Sequence, residues 1–493
     1  MPTSPFVPET GSLTIDGKAY DIPLLKDPVS GTHILRAGSA KLPFVVEDSS
    51  ARAFHIATAL SDVDGHNGKL SYRGYDIQPL VNNASYEEVS HLLLMGDLPN
   101  KDQLGQFKSD LAKKAVLDDD LQQQLLGTLK AVRITEKTNP MSLMSMLVSI
   151  MDAHEQLPVG KQQDRYESTL RTMAVMPTLI GLVNARVKAG DKSERLSYTF
   201  PTKEDFGADG KDFSYARLLT SALQQKPVDA LDAAQVAAMD KYLILHAEHG
   251  SNLSTFTARV VDSGEAKEGG WRITLGAMQS LAGNRHGNAS NDALNNLKKI
   301  LARPEATIPE KVSGYIAQSD ANYERFKAGD TQVTPDMYTI EGIGHKIYSA
   351  PDPRAGALQS ILRECRDGLK DPQLLDLALE LQNQLKDHKR FGAKTPKPLY
   401  PNVDFCSGVL LTQYLGIDER LMTSMFAVSR NVGWQAHAAE HARDAKNIVR
   451  PEALPLTPPR EFIPMDQREV PTEISNVAGK QVFPAANVLA KTA

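Results

Sequence analysis

The sequence predicts a mainly α-helical protein with a small β segment at its start, and three observations carry that reading. Apolar residues recur every three or four positions through most of the chain. Gly, Pro, Asp and Asn clusters punctuate those runs, and a strand–turn–strand pattern lies near the N-terminus. At 493 residues the chain has room for roughly three domains, or one large core with an insertion.

In chain order, Leu13–Ile15, Asp16-Gly17 and Lys18–Ile22 read as strand, two-residue turn and strand, because Asp-Gly tolerates the positive φ of a type I′ turn. A turn-rich patch, Asp64–Gly68, leads into Leu70–Tyr75. Ser85 and Glu88 have capping-box spacing ahead of Val89, Leu92 and Leu93, with Gly96 and Pro99 as stop signals. After Pro227, the positions Leu231, Ala234, Ala238, Tyr242, Leu245 and His249 would share one helix face. Helical spacing also covers about 141–155, 168–187, 291–301, 355–368, 373–388 and 419–446. Loops are expected near 189–212, 303–311, 327–337 and 389–402. From Pro451 onward, seven prolines in 43 residues and little periodicity predict a tail that wraps a surface or stays mobile.

Composition excludes several classes. A net charge of −5 gives no overall pull on nucleic acid or anionic lipid, and no basic stripe interleaves with aromatics. With 41% hydrophobic and 23% charged residues, the balance is that of a globular protein. Two cysteines, Cys365 and Cys406, are too few for a disulfide framework or a multi-cysteine zinc site. The uncharged stretch Thr172–Ala185 is 14 residues long and contains Pro177, short of the ~20 a spanning helix needs. Neither a secretory nor a transit signal is visible, so the expectation is a cytoplasmic protein with no membrane or nucleic-acid partner.

Phosphate-loop and dinucleotide fingerprints are missing, since Gly342-Ile343-Gly344 lacks a third glycine and a βαβ setting. His437-Ala438-Ala439-Glu440-His441 matches H-x-x-E-H, which on a helix could place two imidazoles on a zinc ion. His246 and His249 could be ligands too, although one packed in the helix and one facing a polar pocket is the better reading. Four further segments set polar residues in tight turns: His246–Thr255, Gly283–Asn288, Gly342–Lys346 with Asp352–Arg354, and Pro401–Gly408. Two histidines bracketed by glycine, plus an aspartate in a turn, suit acid/base chemistry.

The order and wording of these segments resemble the citrate synthases. Asp64–Tyr75 resembles D-G-x-x-G-x-L-x-Y-R-G-Y, and His246–Arg259 resembles H-A-D-H-E-x-N-x-S-T-x-T-x-R. Gly283–Gly287 is similar to G-P-L-H-G, Gly342–Arg354 to G-F-G-H-R-V-Y-K-x-x-D-P-R, Leu399–Gly408 to L-Y-P-N-V-D-F-Y-S-G, and Gly433–His437 to G-W-x-A-H. The likeness runs over about 55–452. It implies a two-domain helical homodimer whose small domain closes over the substrates. The corresponding boundaries are an N-terminal β-rich segment at 1–50, a large helical domain at 51–286 and 399–450, a small helical domain at 287–398, and a tail at 451–493. It also places the H-x-x-E-H stretch in a structural helix rather than a zinc site.

The resemblance implies roles residue by residue. Asp404 would remove the α-proton of an acyl-CoA thioester, and His286 would hydrogen-bond the thioester oxygen of the resulting enolate. His345 would polarise the oxaloacetate ketone. His249, Arg354 and Arg430 would hold oxaloacetate, with Arg450 supplied by the partner subunit. No metal or redox cofactor is implied; the acyl-CoA is a substrate. Departures gather on the acyl-CoA side: Asn284-Arg285 for Pro-Leu, Asn288-Ala289-Ser290 for Gly-Ala-Asn, Ser349 for a basic residue, Pro398 for lysine, and Cys406 for an aromatic or histidine. Citrate formation from acetyl-CoA is therefore the default expectation, with an alkylcitrate or 2-methylcitrate synthase second. A catalytically silent binding or regulatory relative is disfavoured by the intact His286, His345, Asp404 and arginines.

Overall fold

The computed structural model describes residues 58–265, 269–283, 287, 289–395, 398–444, 448–450, 462 and 464–467, and the backbone of three strands between 7 and 35. The chain divides into two compact units, 1–57 with 450–493, and 58–449. In the first, strands Val7–Ile15 and Lys18–Lys26 pair antiparallel, with Ile15 opposite Lys18. They are longer than the expected 13–15 and 18–22, and His33–Leu35 adds a third strand. Most of the tail from Pro451 lies outside the described residues.

The second unit is helical, as expected. Its only sheet among the described residues is a three-stranded meander, Ser61–Asp64, Lys69–Tyr72 and Tyr75–Asp76, so the 64–68 turn patch joins two strands. The turn packs on the chain near 350: a methyl at Gly65 would lie 2.4 Å from the Ile347 carbonyl oxygen. The capping box forms, with the Ser85 amide donating to Glu88 at 2.8 Å, and it opens helix Tyr86–Met95, which ends on Gly96 at φ +98°.

Helix Gln162–Ala189 is the centre of the core. It is buried without a break from Thr172 to Val187, and it carries Pro177 internally. A helix apolar on all sides must be covered on all sides, and Lys101–Ala115, Tyr215–Gln224 and Met422–Asp444 pack against it. Around the site, Ala289–Leu301, Pro353–Glu364, Gln373–Leu385 and the short Asp404–Val409 pack together. The expected boundaries at 286/287 and 398/399 fall inside this unit. Several helices lie outside the segments with helical spacing, among them Leu253–Ser263, Gly270–Leu281 and Ile308–Lys327, the last starting inside an expected loop. Among the described residues no helix is long and apolar enough to cross a membrane.

One element corrects the sequence reading in a way that shapes the site. The helix after Pro227 runs Ala233–His246 and stops three residues short of His249. The chain turns through Gly250 at φ +65°, where glycine bears no Cβ penalty, so His249 sits in a turn rather than on the helix face.

Candidate active site

Two loops are laced together at the centre of the unit. The Gly344 amide donates to the Tyr400 carbonyl at 2.7 Å, and the Asn402 amide to the Gly342 carbonyl at 3.0 Å. Asn402 Nδ2 adds a bond to the Gly344 carbonyl at 2.9 Å. Gly342 and Gly344 have φ of +81° and +101°, and a methyl at Gly342 would meet the Phe405 ring at 3.0 Å. The chemistry-bearing neighbours of this lacing are His345, which follows Gly344, and Asp404, which starts the helix after Asn402.

His345 Nδ1 accepts two backbone amides, those of Ile347 and Tyr348, at 3.0 Å each. A neutral ring held this way carries its proton on Nε2. Burial and then the Arg354 charge push its pKa down to about 4, so it is a neutral donor near pH 7. His249 lies edge-on to it, ring centres 5.4 Å apart, and its Nε2 meets the Tyr348 hydroxyl at 3.2 Å. Burial first, then Arg354 and His345, hold the His249 pKa well below the ordinary imidazole value.

Both nearby arginines are buried. Asp352 caps helix Pro353–Glu364 by accepting the Arg354 amide, and its carboxylate grips the Arg354 guanidinium at 3.0 and 2.8 Å. Arg430, on helix Met422–Asp444, is 1% exposed. Its Nε donates to the His246 carbonyl at 2.6 Å and its guanidinium lies 4.8 Å from the Phe426 ring centre. Among the described residues, Nη1 and Nη2 have no hydrogen-bond partner. Unsatisfied buried donors on a cation are costly, and the outer edge of a guanidinium fits a carboxylate in two bonds. Burial lowers the Arg430 pKa, with the charges of Glu248 and Tyr72 opposing.

Asp404 is held at both ends. Its amide donates to Asn402 Oδ1 at 2.9 Å, and the Ser290 hydroxyl donates to its Oδ1. Burial raises its pKa, while Ser290 and Arg354 pull the other way.

Behind Arg430 runs a buried polar chain. Glu248 Oε1 accepts from Ser61 at 2.9 Å and from the Gly250 amide at 2.6 Å, and His437 Nε2 lies 2.9 Å from it. His437 Nδ1 faces Arg259 at 3.2 Å, which also pairs with Glu440 at 3.2 Å. Burial pushes the Glu248 pKa up, but His437 and Arg430 bring it below the usual value. The H-x-x-E-H residues His437 and Glu440 are thus spent on internal pairs, and among the described residues no cluster could hold a metal. His246 is packed between Tyr242, stacked at 4.1 Å, and Phe426.

Five of the seven candidate residues, His249, His345, Arg354, Asp404 and Arg430, therefore sit in one charged neighbourhood. His286 lies outside the described residues. Gly287 beside it is fixed: its amide donates to the Leu281 carbonyl at 2.9 Å, and its own carbonyl accepts from Thr423 at 2.9 Å. Arg450 is exposed and belongs to the other compact unit. The sequence reading named no role for Glu248, Tyr348, Ser290 or Asn402. Glu248, Tyr348 and Asn402 lie inside quoted motifs and Ser290 among the departures, but only their partners mark them out.

Next to the laced loops a cavity of about 400 Å³ is lined by Ile343, Arg363, Lys386, Phe391, Leu399 and Pro401, among others. Two of the departures are structural here. The Ser349 amide is tied to the Gly65 carbonyl at 2.8 Å, and Cys406 is fully buried with Gln359 at its thiol, whose pKa burial pushes up to about 12.

Neutral imidazole donors, a carboxylate beside them and an unsatisfied buried guanidinium make an acid/base site for an anionic ligand. The family model described as citrate synthase, C-terminal domain, matches residues 52–452. Citrate synthase of Corynebacterium glutamicum is 30% identical over 411 residues, 82% of this chain and 85% of that protein. The citrate synthase structure from Pyrobaculum aerophilum superposes with a TM-score of 0.68 at 28% identity, over 84% of this chain and 93% of that one. The fold is also that of Thermoplasma acidophilum citrate synthase in its ternary complex with carboxymethyl coenzyme A and oxaloacetate, with a TM-score of 0.68 and 22% identity, over 85% of this chain and 98% of that one. The chain belongs to the citrate synthase family.

Proposed function

We propose that this protein condenses an acyl-CoA with oxaloacetate and hydrolyses the resulting thioester, releasing CoA and a citrate-type tricarboxylic acid. The observation that carries the reading is the Arg430 guanidinium, buried with neither terminal nitrogen partnered among the described residues. Arg354 and two neutral imidazoles share its neighbourhood. A small dicarboxylate with a ketone supplies what that pocket lacks.

In this reading Arg430 and Arg354 bind the carboxylates and His249 orients them. His345, neutral with its proton on Nε2, donates to the ketone oxygen. Asp404 takes a proton from the carbon next to the thioester, and His286 hydrogen-bonds the thioester oxygen as negative charge develops there. The enol carbon then attacks the ketone carbon, forming the new C–C bond, and His345 protonates the alkoxide. Water finally cleaves the C–S bond. Asp404 takes up and His345 gives up one proton each in the condensation, the hydrolytic water supplies the new carboxyl oxygen and the proton on the departing CoA thiol, and no metal or redox cofactor enters the scheme.

Closure of a small domain, 287–398, over a large one, 51–286 with 399–450, would exclude water before condensation. Arg450 would complete the site from the other subunit of a homodimer. Acetyl-CoA is the proposed donor. Cys406 supports that choice over a longer acyl chain, because its thiol faces Gln359 of the neighbouring helix. Propionyl-CoA or a longer thioester remains the second reading.

The test is CoA release from acetyl-CoA that requires oxaloacetate. Release that pyruvate supports equally well would overturn it, since one carboxylate cannot engage both arginines.

A further inference from the structure

We propose that Ser290 is a positioning residue for Asp404: its hydroxyl commits one carboxylate oxygen, holds the group ionised, and turns the other oxygen toward substrate. The proposal rests on the reading of Asp404 as the base.

Ser290 is the second residue of helix Ala289–Leu301 and is 5% exposed. This helix can approach Asp404–Val409 closely because Gly408 faces it, where a methyl would lie 3.0 Å from Leu294 Cβ and 3.3 Å from the Ser290 carbonyl oxygen. The close crossing is what brings the Ser290 hydroxyl onto Asp404 Oδ1. Asn402 holds the Asp404 amide, so backbone and side chain are anchored by two different residues. Among the described residues, no other hydrogen bond to this carboxylate is seen.

The charges around Asp404 come from several elements. Arg354 and Asp352 act from the start of helix Pro353–Glu364, and Arg430 from helix Met422–Asp444. Tyr242 faces it from helix Ala233–His246, with His246 stacked on that ring and bonded to Ser407. Burial favours the protonated acid, which cannot act as a base. Asp352 pushes the same way, and the arginines push against it. Among the described residues Ser290 is the one uncharged donor that touches the carboxylate, so its loss should show as a change in when the base ionises.

The experiment measures kcat and kcat/KM against pH for the full-length enzyme with Ser290→Ala, Ser290→Thr and Ser290→Cys. Losing a hydrogen bond to a charged group should move the acidic limb of Ser290→Ala upward by about one pH unit. Activity below that limb should fall about tenfold, with most of it recovered on the alkaline side and KM for oxaloacetate unchanged. Ser290→Thr should restore the wild-type limb, and Ser290→Cys, a weak donor of similar size, should shift it less. An unmoved limb in both Ser290→Ala and Ser290→Cys, or a loss uniform across pH, would overturn the proposal. Asp404→Asn separates the two ideas: if it is inactive while the Ser290 variants leave the limb in place, only the role of Ser290 fails. If Asp404→Asn keeps near-normal turnover, the base assignment fails first.

Discussion

Asn402 reaches across from the loop that leads into Asp404 and donates its side-chain amide to the Gly344 carbonyl at 2.9 Å, one residue before His345. This bond, with two backbone bonds beside it, ties the donor imidazole to the carboxylate. Asn402→Ala should lower kcat by about 10–100-fold through misplacement of both groups, with little change in thermal midpoint because the backbone lacing remains. A variant with wild-type kcat would show that the side-chain tie is dispensable.

Arg430 offers a planar fork that lysine cannot reproduce. Arg430→Lys keeps the charge but loses the second hydrogen bond, so KM for oxaloacetate should rise at least about tenfold. KM for the acyl-CoA should change much less. Equal rises for both substrates would place Arg430 outside the oxaloacetate pocket.

Glu248 is the shared anchor of Ser61, Gly250, His437 and the Arg430 charge. Its removal leaves several buried donors without an acceptor. Glu248→Ala should cost about 3–5 kcal/mol in urea unfolding, the usual cost of breaking a buried ion pair from one side. A loss under 1 kcal/mol would mean that water or a neighbour fills the gap.

His246 gives a pH signature of stability. Burial pushes its pKa down to about 3, against 6.5 in its ordinary state. A depressed value means that the unfolded chain takes up the proton first. The stabilisation is therefore complete above pH 6.5 and lost as pH falls toward 3, at up to about 1.4 kcal/mol per unit. The stability gap between wild type and His246→Gln should narrow from pH 7.5 to pH 5 in urea titrations. A gap independent of pH would mean that His246 titrates normally.

The parts of this fold legible in the sequence are those with local causes. The Ser85–Glu88 box is written in four residues; the expected Asp16-Gly17 turn lies outside the described residues, but the strands on either side pair as expected. Helices Leu253–Ser263 and Gly270–Leu281 escaped because Ser254, Thr255, Asp262 and Thr274 are buried polar residues that break the apolar period. The spacing puts His249 on a helix because the apolar period runs on past the helix end, and only the turn at Gly250 stops it. The site itself was visible through long ordered motifs. Its supporting contacts were not, because Glu248 and His437 are 189 positions apart and Ser290 and Asp404 are 114 apart. No local pattern encodes such pairs. Burial explains them afterwards, since each leaves a buried polar group without a partner if removed.

The most direct test of the account is mass spectrometry of the products formed from oxaloacetate and a panel of acetyl-, propionyl- and hexanoyl-CoA. The account predicts free CoA together with a tricarboxylic acid whose mass equals that of oxaloacetic acid plus that of the free carboxylic acid corresponding to the acyl group. In plain terms, acetyl-CoA should yield citrate, with kcat/KM declining as the acyl chain lengthens. Free CoA with only the simple carboxylic acid beside it, and oxaloacetate unconsumed, would contradict carbon–carbon bond formation and with it the central claim.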